Sequence, residues 1–117
     1  MGITMTSLTF DEYQADAAKT AIYPGRKTVM GLAYAALGLG EAGEVQNKVK
    51  KVLRDAGSTL TPERRSQIAD ELGDLLWYLS ATSDEIDIPL EWIARVNLEK
   101  LADRATRGVI KGEGDKR

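Results

Sequence analysis

The stretch DELGDLLWYLS (residues 70–80) decides the reading of this chain. Leu72, Leu75, Leu76 and Leu79 recur at helical spacing, so the segment is an amphipathic helix. Glu71 and Asp74, three residues apart, share a side with Tyr78 and border the leucine face instead of standing opposite it in water. Two carboxylates beside an apolar stripe call for a partner.

Upstream, the segment GEAGEVQNKVKK repeats the pattern with Glu41 and Glu44. At about 100° per residue, Met30, Tyr34, Leu37, Val45 and Val52 fall on one side, with Glu41 in their middle. An unpaired buried carboxylate costs several kcal/mol, so Glu41 should be protonated, ion-paired or bound to metal. The two segments form an antiparallel hairpin whose turn is Ala-Gly-Ser at 56–58. Positions 41 and 74, and likewise 44 and 71, are both centred on Gly57–Ser58, which predicts that all four acids meet at one height. Such a cluster repels itself unless a cation sits among the acids. Carboxylate oxygens without nitrogen or sulfur ligands suit magnesium, or manganese in its place. A single E-x-x-E is most often a solvated helix face; two, level across a hairpin and touching apolar stripes, argue for a site.

The rest of the chain reads as helices. Thr9 with Glu12 forms a capping box for a first helix through Ala21, and Pro24-Gly25 breaks it. A second helix is expected from about Lys27 to Arg54. Thr61-Pro62 starts a third, running to about Ser83. Asp87, with Pro89 in the first turn, starts a fourth that Gly108 ends. No strand pattern, repeat or second domain is visible, so residues 1–117 read as one all-α domain with a glycine-rich charged tail over 108–117.

At 117 residues and 43% hydrophobic content the core is thin, and sharing helical faces with another subunit would help. The net charge of −2 gives no case for nucleic acid, and no run is apolar enough to span a bilayer or direct export; a cytoplasmic protein is expected. With no cysteine and no histidine, thiol nucleophiles, imidazole bases, zinc sites and Glu-x-x-His di-iron sites are excluded. On the fourth helix Asn97, Lys100, Arg104 and Arg107 form a polar-cationic stripe suited to phosphate oxygens, or to solvent. Lys48 and Lys51 follow Glu44 by one and two turns and could neutralise the acids or reach a phosphate. Trp77 reads as a core or interface aromatic; Tyr78, one turn after Asp74, has the better claim on a ligand.

The order E-x-x-E, 26 intervening residues, E-x-x-D, together with NLEKLADRATRG and KGEGDKR, resembles the all-α nucleoside triphosphate pyrophosphohydrolases of the MazG type over roughly residues 30–117. The resemblance implies a four-to-five-helix bundle completed by oligomerisation, as a homodimer or homotetramer. It also implies cleavage of a (deoxy)nucleoside triphosphate between the α and β phosphates, in nucleotide-pool housekeeping. Glu41, Glu44, Glu71 and Asp74 would hold magnesium, while Asn97 and Lys100 would touch substrate, with Tyr78, Lys48, Lys51 and Arg104 as further candidates. Some relatives carry a further acid just before the first motif glutamate, a candidate base. Gly40 stands there in this chain, so Glu41 or Glu44 would have to serve through water. The competing reading is a non-catalytic helical interaction protein with a structural acidic metal site.

Overall fold

The computed structural model describes residues 6–55 and 57–108. In chain order these form α1 (Phe10–Ala18), α2 (Val29–Gly38), a 3-10 turn (Leu39–Glu41), α3 (Ala42–Asp55), α4 (Pro62–Glu85) and α5 (Leu90–Arg107), with no strand among the described residues. The all-α expectation holds. The charged tail beyond Gly108 lies outside the described residues.

Two helix starts follow from local chemistry. Thr9 Oγ1 accepts from the Glu12 N–H at 3.0 Å while Glu12 Oε1 accepts from the Thr9 N–H at 3.0 Å, closing the capping box of α1. Thr61 accepts from the Arg64 N–H at 3.2 Å and Pro62 occupies the first turn of α4.

Three boundaries differ from expectation. The segment from Lys27 to Arg54 is not one helix. Lys27 has a left-handed backbone (φ 64°), α2 begins at Val29, and the 3-10 turn separates α2 from α3. Gly38 stands just before that turn because a Cβ there would lie 2.1 Å from the Tyr78 ring. The turn winds at about 120° per residue, so the faces of α2 and α3 are rotated against each other. The single stripe around Glu41 therefore does not exist in the chain: Val52 is buried, but Met30, Tyr34 and Leu37 are exposed. Asp87 is also no N-cap. It follows the last turn of α4 with φ 57°, a conformation that a short polar side chain tolerates, and α5 begins at Leu90. The free Leu90 N–H is taken by Gln14 Oε1 of α1 at 3.0 Å, and the Gln14 amide donates to Ser80 O (3.0 Å) and Ser83 Oγ (3.1 Å). One side chain thus stitches α1 and α5 to α4. Finally, α1 stops at Ala18, three residues early, where the chain tightens into i→i+3 turns.

The central element is α4, against which α1, α2, α3 and α5 all pack. The buried apolar residues are Ala21, Tyr23, Ala35, Val52, Ala81 and Leu90, three of them alanines. Large apolar side chains are left open to solvent, with Val29 82% and Leu37 81% exposed on α2. No helix among the described residues is long and apolar enough to cross a membrane.

Candidate active site: three carboxylates and an aromatic wall

The 3-10 turn delivers Glu41 to the flank of α4, where Glu71 and Asp74 project from one side of the helix. The three carboxylates offer oxygens within 4.8 Å of one another, Glu41 and Glu71 half-buried and Asp74 exposed. Glu44 is exposed on α3 and falls outside this group. Among the described residues, none donates a hydrogen bond or ion pair to these three acids. Three half-wet anions at such range repel, and a hard divalent cation is the counter-charge that an all-oxygen set fits best. The residues present therefore suit magnesium or manganese.

Beside the acids opens a cleft of about 440 Å³ lined by Thr20, Glu41, Asp74, Trp77 and Tyr78. The Tyr78 ring lies over the Gly38 backbone and meets Trp77 edge-on at 5.1 Å. Trp77 in turn stands edge-on to Tyr23 at 6.3 Å, and Tyr23 stacks on Tyr34 at 4.5 Å. The Trp77 indole N–H donates to Thr20 Oγ1 at 2.8 Å. Burial, then the neighbouring Tyr34, Glu41 and Asp74, push the Tyr78 hydroxyl above its ordinary value, so it remains a hydrogen-bond donor in the cleft.

Two of these wall residues escape a sequence reading. Trp77 reads as a core or interface aromatic, although its position one turn from Asp74 is the signal that places it beside the acids. Thr20 carries no local signal, since its partner is 57 residues away.

The cationic candidates lie elsewhere. Asn97 and Lys100 line a separate groove of about 340 Å³ with Ile88, Trp92, Ile93 and Val96. Their helix, α5, packs on α1 and α4 rather than on α2 or α3. Lys48 and Lys51 are half-buried on α3 and do not line the acid cleft; Arg104 is buried near the end of α5 instead of facing solvent.

A helical hairpin thus brings Glu41, Glu71 and Asp74 together beside an aromatic cleft, a set that could hold a divalent cation. Residues 31–109 match the MazG nucleotide pyrophosphohydrolase domain, and the chain belongs to that family. It is similar to the Gene 37 protein of Mycobacterium phage L5, with 47% identity over 111 residues that span 92% of this chain and 97% of that protein. No solved structure matches.

Proposed function

We propose that this protein hydrolyses a nucleoside triphosphate, ribo or deoxy, between the α and β phosphates, releasing the monophosphate and pyrophosphate. The observation that carries this reading is the set of three mutually close carboxylates with no counter-charge among the described residues, facing an aromatic-walled cleft. Glu41, Glu71 and Asp74 would hold magnesium. The cation, when bound, supplies charge neutralisation on the phosphates and activation of water. Glu44 lies outside the tight acid group, three residues along from Glu41, and is left to accept the proton of the attacking water. Tyr78 presents a hydroxyl donor and, with Trp77, a surface for the nucleoside end.

The phosphate-binding cations come from a second copy in this reading. Asn97 and Lys100 sit in their own groove on α5, and the exposed apolar surface of α2 needs covering. A homodimer or homotetramer that set the partner's α5 against the acid cleft would meet both requirements.

Pyrophosphate release from a panel of nucleoside triphosphates, with magnesium and with excess chelator, tests the proposal. Turnover of at least one member that requires the cation supports it. Metal binding without turnover of any member would favour a structural acidic site in an interaction protein.

A further inference from the structure

The end of α4 remote from the acids holds a carboxylate that the proposed reaction does not use. The Glu85 side chain is fully buried. Its Oε2 accepts from the Tyr23 hydroxyl at 2.7 Å and from Arg26 Nε at 2.7 Å, and its Oε1 accepts from the Lys27 N–H at 2.7 Å. Gly31 passes so close that a Cβ there would sit 2.8 Å from Oε1. Enclosed and already accepting three hydrogen bonds, Glu85 is closed to substrate and metal.

Its location makes packing alone a poor explanation. The C-terminal end of a helix disfavours an anion, and replacing a buried ion pair by apolar residues of similar volume is often neutral or stabilising. What the charge adds is a single fixed arrangement of its donors. All three donors belong to the strap between α1 and α2. Arg26 extends the hold, donating to Ala21 O at 2.9 Å and pairing with Asp84. The same strap carries Thr20, whose hydroxyl donates to Ala17 O at 2.7 Å and accepts from the Trp77 indole. Tyr23, held by Glu85 through its hydroxyl, supports the Trp77 edge with its ring.

We infer that Glu85 is a positioning residue which, through Tyr23 and the strap, holds Thr20 and Trp77 in the wall of the acid cleft and so sets how tightly the nucleoside end of the substrate is gripped. The inference rests on the pyrophosphohydrolase reading for the word substrate, but the hold on Trp77 can be read without turnover. Glu85→Gln should raise KM for the triphosphate on the order of tenfold while kcat stays within about twofold and magnesium affinity is unchanged. Tyr23→Phe keeps the stacked ring and removes only the hydroxyl, so it should fold and shift KM in the same direction by less. In a Trp92→Phe background, where Trp77 is the remaining tryptophan, emission should move to the red and acrylamide quenching should rise in both variants. A variant that merely folded less well would lower kcat at unchanged KM, and that pattern overturns the inference, as does Trp77 emission identical to the parent. If Glu85→Gln does not fold, Tyr23→Phe decides by the same readouts. If the wild type turns over no triphosphate, the proposed function fails by itself and the emission comparison still judges whether Glu85 holds Trp77.

Discussion

Two regions of α4, its middle and its C-terminal end, treat carboxylates in opposite ways. Asp84 and Glu85, with Asp87 just beyond, are met by Arg26, Lys27 and Tyr23, and burial does not keep Glu85 from ionising. Burial alone would push its carboxyl up, but the Tyr23 hydroxyl, the Lys27 N–H and the Arg26 guanidinium outweigh it and hold the group below the ordinary carboxylate range. Tyr23 shows the converse, pushed up to about 12 by burial and by Glu85. Eleven and fourteen residues back from Glu85, about 16 and 21 Å along the helix, Asp74 and Glu71 face Glu41 with no such partners among the described residues. At the C-terminal end the fold supplies the counter-charge; in the middle, by the proposed reading, a bound cation would. Charge-neutral substitutions should therefore harm stability at the C-terminal end and activity in the middle.

The largest expected effect is at the acid cluster. Glu41→Gln or Asp74→Asn should lower pyrophosphate release by roughly 10²–10³-fold, the several kcal/mol that a metal-held charge contributes to a transition state. In chelator, neither variant should melt below the wild type, because removing one of three repelling charges relieves the metal-free protein. A fall in melting temperature in chelator would make these acids structural, like those at the C-terminal end of α4.

At the Glu85 end the sign reverses. Arg26→Ala removes a partner of a buried charge and should cost about 3 kcal/mol, read as a lower urea midpoint. The pH dependence follows from the depressed carboxyl. Its contribution is present above the unfolded value near 4.5 and is lost as pH falls through the lower folded value. Between neutral pH and about pH 3, wild type should lose stability more steeply than Glu85→Gln. Parallel acid limbs would mean that Glu85 is not the group that titrates.

The contrast between the two regions was half legible in the sequence. The acid cluster announces itself, because E-x-x-E and E-x-x-D centred on one turn are a matter of spacing, and capping signals such as Thr9 with Glu12 act within a few residues. Glu44 shows where spacing stops: level with Glu71 across the hairpin by count, it is exposed on α3 and outside the group of mutually close carboxylates. The close approach of the Tyr78 ring to Gly38 could not be read either, because it joins residues forty positions apart. Asp87 misled for another reason, since the residue types that cap helix starts also tolerate left-handed backbone after helix ends. The Glu85 hold was invisible, as its partners lie nearly sixty residues earlier in an unremarkable loop.

A smaller effect tests whether the acid site is completed by a second copy as well as by a cation. Truncating Lys100 to Ala should lower kcat/KM by roughly ten- to a hundredfold, the 1.5–3 kcal/mol of one charge-assisted hydrogen bond, with metal affinity unchanged. Because α5 packs on α1 and α4 but not on α2 or α3 within one chain, and Lys100 lines a groove other than the acid cleft, mixing Lys100→Ala with Asp74→Asn should restore part of the activity through hybrid assemblies. Sedimentation should show a dimer or tetramer at micromolar concentration. An active monomer, or mixtures no better than their components, would move the phosphate role to Lys48 or Lys51 on α3.

The smallest effect lies where the two regions meet, at Thr20, which belongs to the strap that Glu85 holds and to the wall of the acid cleft. Thr20→Val keeps the shape and removes the acceptor for the Trp77 indole. The bond is solvent-exposed, so water can replace it and stability should fall by less than about 1 kcal/mol. The consequence should show in binding: with its hydrogen bond gone, the indole gains freedom that the substrate must remove again, raising KM a few-fold at constant kcat. Such a change would tie the middle and the C-terminal end of α4 into one device, with the paired Glu85 fixing the wall beside Glu41, Glu71 and Asp74. A stability loss above about 2 kcal/mol with KM untouched would instead make Thr20 part of the packing.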